Sequence, residues 1–203
     1  MKRRLLVMLL VIALLCPLLP VSSNAYVLGT ESETGPWKWA MQGDNTVTIL
    51  GYTGSASNVT IPTKIEVESS LWYRVGFVHD WTFMENTSVK KITIPSGIDV
   101  GGFGACNVEE IVFEGESILA ASVFSGCKKL KSVKLPKNLE VLPFDAFKDC
   151  VSLKTVTLPD SLTEIQDDAF SGCTSLEKLH IPESVTNLGV RPFAYCTKLT
   201  EPV

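Results

Sequence analysis

The second half of the chain repeats one unit of 23 residues, and this period constrains the fold more than any other feature. Four columns recur at that spacing from Phe124 onward. The identical residues are Phe124, Phe147, Phe170 and Phe193; Cys127, Cys150, Cys173 and Cys196; Leu130, Leu153, Leu176 and Leu199; and Pro136, Pro159 and Pro182. A fixed period of about 20 to 50 residues is typical of solenoids, in which each unit packs only against its neighbours.

Two earlier, shorter units precede these four, headed by Phe83 with Asn86 and by Phe103 with Cys106. All six units share an aliphatic residue five positions before the Phe, at Val78, Ile98, Leu119, Leu142, Ile165 and Leu188. The repeat therefore extends over about 130 residues.

Each unit contains a short alternating segment that predicts a β-strand. In residues 153–158 the apolar side chains Val156 and Leu158 alternate with polar ones, as expected for a strand with one buried face. Stacked units would align Val133, Val156 and Leu179 beneath a parallel sheet, with the Phe and Cys columns on the opposite wall. The following proline ends each strand, because it has no N–H to donate.

These columns resemble the BspA-like leucine-rich repeats of secreted and surface proteins, mostly bacterial. The resemblance covers residues 75–203 and, more loosely, the segment from Trp37. It implies a β-rich, right-handed solenoid of parallel strands, with short turns or helical segments on the convex side. The chain departs from the pattern at Asn86 in the Cys column, at Glu114 in the Pro column and at Pro202 in an apolar strand position.

A different region precedes the regular units and holds all four tryptophans, Trp37, Trp39, Trp72 and Trp81. Residues 38–41 and 46–50 predict two strands joined across a Gln-Gly-Asp-Asn turn. We therefore expect a capping region with a β-hairpin over residues 26–74 and repeats of 20–23 residues over 75–203. An aromatic ligand platform is the alternative interpretation of the tryptophans.

The first 25 residues predict a secretory signal peptide: a basic segment, an apolar run from Leu5 and a small-residue stretch ending at Ala25. Cleavage there would change the formal charge from −4 to −7, since three basic residues are removed. A lipid anchor at Cys16 is disfavoured by the preceding Leu15. We expect a secreted or cell-surface protein with no membrane span after cleavage, and no nucleic-acid partner, because no lysine- or arginine-rich stripe remains.

The residues that could carry chemistry predict structure instead. Five cysteines remain after cleavage, and we expect a ladder of buried thiols because copies of one position point the same way; disulfide pairing is the alternative. No metal-ligand spacing occurs around the two histidines, His79 and His180, and no nucleophile is singled out, so no enzyme, metal or cofactor is expected. Asn58 and Asn86 fit the glycosylation pattern, which matters only on a eukaryotic secretory route.

The outward positions of the predicted strands remain as the candidate binding surface on the concave side. They are Lys91, Thr93, Glu110, Val112, Ser132, Lys134, Thr155, Thr157, Lys178 and His180. We expect a module that binds a protein or glycan, such as a host or neighbouring-cell surface. A passive envelope protein without a specific ligand, a fragment of a larger surface protein and, least of all, a hydrolase are the alternatives.

Overall fold

The structure, a computed structural model, describes residues 31–42 and 45–200. The predicted signal peptide, the tip of the predicted hairpin turn and Pro202 lie outside these ranges. The strands of the described ranges are β1 (Ser32–Thr34), β2 (Trp37–Met41), β3 (Thr46–Tyr52), β4 (Asn58–Thr60), β5 (Lys64–Glu68), β6 (Leu71–Val78), β7 (Lys91–Ile94), β8 (Asp99–Val100), β9 (Glu110–Phe113), β10 (Ser132–Lys134), β11 (Val141–Leu142), β12 (Thr155–Thr157), β13 (Glu164–Ile165) and β14 (Asn187–Leu188).

The N-terminal sheet is mostly antiparallel and has the order β1-β2-β3-β6-β5, with β8 also paired to β6. Strands β2 and β3 form the predicted hairpin, in which Met41 pairs with Val47. Trp39 is 3% exposed and its indole N–H donates to Thr34 Oγ1 over 3.2 Å. Trp72 and Trp81 are 55% and 63% exposed. The tryptophans therefore divide between the core and the surface.

The parallel sheet has the order β4-β7-β9-β10-β12, and its in-register pairs repeat one buried position. Ile92 pairs with Ile111, Ile111 with Val133 and Val133 with Val156. This confirms the alternation predicted for the strands. Its first strand, β4, lies within the region predicted as the cap, since Val59 pairs with Ile92.

A third, narrow ladder lies along the aliphatic column, where Leu142 pairs with Ile165 and Ile165 with Leu188. In the shorter unit, Val100 and not Ile98 takes the aligned place, because Val100 pairs with Val78 and bridges to Leu119. The two earlier units are two or three residues shorter than the regular unit of 23. The ladder accommodates this difference because a different aliphatic residue, Val100, pairs in it.

Turns, and no helix in the described ranges, form the wall that carries the Phe and Cys columns. Each regular unit places left-handed backbone two residues before and two after its Phe, as at Asp145 (φ 55°) and Asp149 (φ 58°) around Phe147. Helical backbone cannot continue through such residues. These turns instead donate to the next unit, for example from Phe147 N to Ala169 O over 2.7 Å.

The Phe side chains form one continuous stack through the core. Ring centroids lie 4.8 Å apart between Phe124 and Phe147 and 5.1 Å between Phe147 and Phe170, with interplanar angles of 18° and 10°. The stack continues through the buried Phe103 to Phe83 at one end and to Phe193 at the other. Stacked, buried rings stabilise neighbouring units together, so the column is scaffold.

The cysteines follow the same column logic, and four of the five are buried. The thiol of Cys150 donates to Phe124 O over 3.0 Å, and that of Cys173 to Phe147 O over 3.1 Å. Burial raises the pKa of both thiols. Asn86 takes the corresponding place in its unit, where its side-chain amide donates to Gly54 O over 2.9 Å. Its backbone is placed as that of the cysteines is, because Asn86 N donates to Phe83 O over 3.2 Å as Cys106 N does to Phe103 O over 3.0 Å.

Candidate functional site

The outer face of the parallel sheet, formed by the side chains opposite the core, carries two rows of mostly polar residues. The first row runs Asn58, Lys91, Glu110, Ser132, Thr155, and the second runs Thr60, Thr93, Val112, Lys134, Thr157. Neighbouring strands of a sheet lie about 4.8 Å apart, so each row is a regular line of side chains. We call these two rows the outer face.

Eight of the ten predicted site residues are brought together on this outer face. Lys178 and His180 are exposed and flank the buried Leu179, as predicted, but residues 178–180 form no strand in the described ranges. The prediction that His180 lies on a strand is therefore wrong.

Asn58 and Thr60 belong to the outer face although sequence reasoning missed them. Their strand reads Val-Thr-Ile-Pro over residues 59–62, the same pattern as Ile-Thr-Ile-Pro over 92–95. That match was the available signal. The match is easy to overlook, because residues 59–62 precede Phe83, the first residue of the Phe column.

Charges on the outer face are paired across strands. Lys91 Nζ lies 2.8 Å from Glu110 Oε1, with both side chains about two-fifths exposed. At the rim, one residue before the strands, Lys131 Nζ lies 2.5 Å from Glu109 Oε2 and Lys90 lies 4.0 Å from the other oxygen. The hydrogen bond from Lys131, and then the positive charges of Lys131 and Lys90, hold the pKa of Glu109 below its ordinary value.

Hydroxyl groups make up most of the remaining surface of the outer face, through Thr60, Thr93, Ser132, Thr155 and Thr157. A hydroxyl both donates and accepts hydrogen bonds. Val112 is the one apolar side chain among the two rows, and no aromatic ring is present in them. The arrangement can therefore hold polar groups along an extended line, but it offers no deep apolar anchor.

The thiols do not assemble a second site. The Cys127 thiol lies 3.6 Å from that of Cys106, and this hydrogen bond lowers the pKa of Cys106 and, together with burial, raises that of Cys127. Both side chains are nearly inaccessible. Within residues 31–42 and 45–200, no group of three or more metal-ligating side chains is arranged to hold an ion. Nor does any helix there have the length and apolarity needed to cross a membrane.

The family model of the BspA-type leucine-rich-repeat region matches residues 98–203 in six copies. The chain belongs to this family. This confirms the resemblance that the Phe, Cys, Leu and Pro columns indicated. No curated protein matches the chain significantly.

Solved structures of other leucine-rich-repeat proteins share the fold. A leucine-rich cell-surface protein of Faecalibacterium prausnitzii is 26% identical, with a TM-score of 0.59, over 84% of this chain and 53% of its own. The pneumococcal vaccine antigen PcpA is 26% identical, with a TM-score of 0.61, over 83% and 48%. A T. pallidum leucine-rich-repeat protein is 24% identical, with a TM-score of 0.59, over 84% and 91%.

The chain thus spans about half the length of the first and second of these proteins. Its BspA-type repeats account for the Phe, Cys and aliphatic columns as scaffold. The outer face is where the units differ from one another, since its two rows contain six residue types.

Proposed function

We propose that this chain is an exported binding or adhesion module that holds an extended protein or glycan ligand along the outer face. The observation that carries the proposal is the in-register outer face itself: five parallel strands present two rows of mostly polar side chains above a buried row of valine and isoleucine. Leucine-rich-repeat solenoids use the concave side of their sheet for extended ligands. The likeness to a cell-surface protein of F. prausnitzii supports export to the surface.

The proposal includes a right-handed coil with the outer face on its concave side, as parallel crossovers in one sheet are right-handed in about 98% of cases. It also includes a capping role for the N-terminal sheet. Tyr52 supports this role, because its ring lies 5.8 Å from Phe83 and 4.7 Å from Trp37. These rings cover the end of the Phe stack, where a further unit would otherwise be needed.

Binding and not catalysis is proposed because the chain's potential nucleophiles serve the core. The thiols of Cys150 and Cys173 are buried and hydrogen-bonded to backbone carbonyls, and their raised pKa values keep them protonated. The acidic balance of the chain likewise disfavours nucleic acid as the partner.

The test is affinity capture from the protein's natural environment, followed by measurement of the captured partner's affinity. We expect the combined replacement of Lys91, Lys134, Lys178 and His180 by alanine to weaken that affinity at least tenfold. The control replaces four lysines off the outer face, Lys64, Lys137, Lys148 and Lys198, and should change it less than twofold. Equal affinity of both variants and the wild type would refute the site, and the absence of any saturable partner would favour a passive envelope protein.

A further inference from the structure

Trp81 is a large, exposed aromatic side chain that the packing of the repeats does not explain. It is 63% exposed, whereas Phe83, two residues later, is 1% exposed and belongs to the Phe stack. Its ring packs on His79, with centroids 4.8 Å apart, and not on the stack. Its carbonyl accepts from Met84 N over 3.1 Å, which fixes the turn that presents it. An exposed tryptophan held in place this way is available to a ligand.

A groove of about 560 Å³ lies beside this ring, between the end of the hairpin and the turn of residues 80–86. Its polar lining includes Lys38, Tyr52, Thr53, Glu85 and Asn86. This volume lies within the range of small-molecule sites, about 300 to 1,000 Å³. The groove is separate from the outer face, because none of its lining residues belongs to the two rows.

Hydrogen bonds between the segments that line the groove fix its shape. Tyr52 N donates to Thr82 O over 3.1 Å, and Thr82 Oγ1 donates to Ile49 O over 3.0 Å. The side-chain amide of Asn86 bridges the carbonyls of Tyr52 and Gly54. A preformed site loses less conformational entropy when it binds a ligand.

The charges of the groove select the class of ligand. Lys38 and Glu85 are the charged residues that line it, and the Lys38 ammonium lies 3.7 Å from Glu33 Oε1, so the groove has no unopposed positive charge that would attract a polyanion. A sugar ring without charge has the complementary chemistry: its C–H face packs on the negative face of an indole, and its hydroxyls bond to ammonium, carboxylate and hydroxyl groups.

We propose that this groove is a binding site for a neutral sugar residue of a glycan, with Trp81 as the stacking platform. Lys38, Glu85 and Thr53 supply hydrogen bonds to the sugar hydroxyls. The site is independent of the outer face, so one chain can contact a glycan at its N-terminal region and another ligand along its sheet.

The test screens the full secreted chain on an array of neutral and acidic oligosaccharides, including hexamers of the cello-, laminari-, malto-, manno- and chito-series, and measures hits by calorimetry. We expect saturable binding of a neutral oligosaccharide that Trp81→Ala weakens at least tenfold and Trp81→Phe weakens less. Trp72→Ala is the matched control, because Trp72 is also exposed and does not line the groove; it should change the affinity less than twofold.

Three results would overturn the site: no neutral oligosaccharide binds, binding is confined to acidic oligosaccharides, or Trp81→Ala binds as tightly as the wild type. Circular dichroism of each variant verifies the fold. The combined alanine variant at Lys91, Lys134, Lys178 and His180 should bind the same oligosaccharide with unchanged affinity. A loss in that variant would place the sugar on the outer face instead.

Discussion

The N-terminal sheet and the parallel sheet solve the same packing problem in different ways. In the parallel sheet, one solution is copied: Ile92, Ile111, Val133 and Val156 occupy a single buried position in successive strands. In the N-terminal sheet each contact is individual, as in the bond between the Trp39 indole and Thr34. The comparison teaches that repetition spreads stability over columns, whereas the irregular region concentrates it in a few large side chains.

The two regions meet at Phe83. On the repeat side, the ring centroid of Phe83 lies 6.4 Å from that of Phe103, through which the stack continues. On the other side, it lies 6.4 Å from the ring centroid of Trp37 and 5.8 Å from that of Tyr52. At Phe83 the stack is therefore covered by aromatic rings of the hairpin and not by water. Removing side chains on either side of this junction tests whether stability is shared along columns.

The largest loss of stability is expected inside the stack. Phe147→Ala should lower the free energy of unfolding by about 3 to 5 kcal/mol, because a fully buried ring between Phe124 and Phe170 is lost and a cavity remains. Urea unfolding followed by circular dichroism measures it. The control is Phe144→Ala, whose side chain is 45% exposed and should cost less than about 1 kcal/mol. Equal losses would mean that the stack does not support its neighbours.

A somewhat smaller loss, about 3 kcal/mol, is expected for Trp39→Ala in the N-terminal sheet. Hydrogen exchange should then rise mainly in strands β1, β2 and β3, since the contacts of Trp39 are local. Trp72→Ala removes an equally large but half-exposed ring, and should leave exchange in these strands unchanged. Uniformly faster exchange across all units after Trp39→Ala would contradict the contrast between the regions.

Alkaline pH should weaken the repeats through their buried thiols. The folded pKa of Cys150 is raised by burial, whereas an unfolded thiol titrates near about 8.5. The contribution of the buried, protonated thiol to the free energy of unfolding is fully present below that pH. It is lost progressively at higher pH, because the unfolded thiol releases its proton while the folded one keeps it. At pH 9.5 the free energy of unfolding is lower by about 1.4 kcal/mol.

Urea unfolding of the wild type and Cys150→Ala at pH 7.5 and 9.5 measures this contribution. The variant lacks the thiol and should lose about 1.4 kcal/mol less over the interval. Identical pH dependence would show that Cys150 is not protected from water.

A thiol assay of the denatured, unreduced secreted chain tests the whole ladder: five free thiols support it, and one or three would indicate disulfides.

The smallest effect is expected on the outer face. Glu110→Gln removes the ion pair with Lys91, and should change the free energy of unfolding by less than about 1 kcal/mol, because both side chains are partly exposed and screened. Thermal unfolding at low and high salt measures it. A loss as large as that of Phe147→Ala would make the outer face part of the scaffold.

The regular units could be predicted from the sequence because each buried column repeats a residue type at a fixed step. Phe124, Cys150 and Val156 were placed this way, and eight residues of the outer rows followed from alternation, while Asn58 and Thr60 were missed. The shorter units could not be, because Val100 replaces Ile98 in the ladder only once neighbouring strands are paired. Whether Trp39 and Trp81 are buried or exposed likewise depends on contacts between distant strands, which no local sequence pattern indicates.

The central claim, that ligand recognition resides on the outer face and not in the repeated columns, is tested most directly by one affinity measurement. Val112→Arg places a bulky cation at the middle of the outer face, between Thr93 and Lys134. Val151→Arg makes the same change at an exposed valine in a turn, off the outer face. The account predicts at least tenfold weaker binding of the captured partner by Val112→Arg and unchanged binding by Val151→Arg; unchanged binding by both folded variants would contradict it.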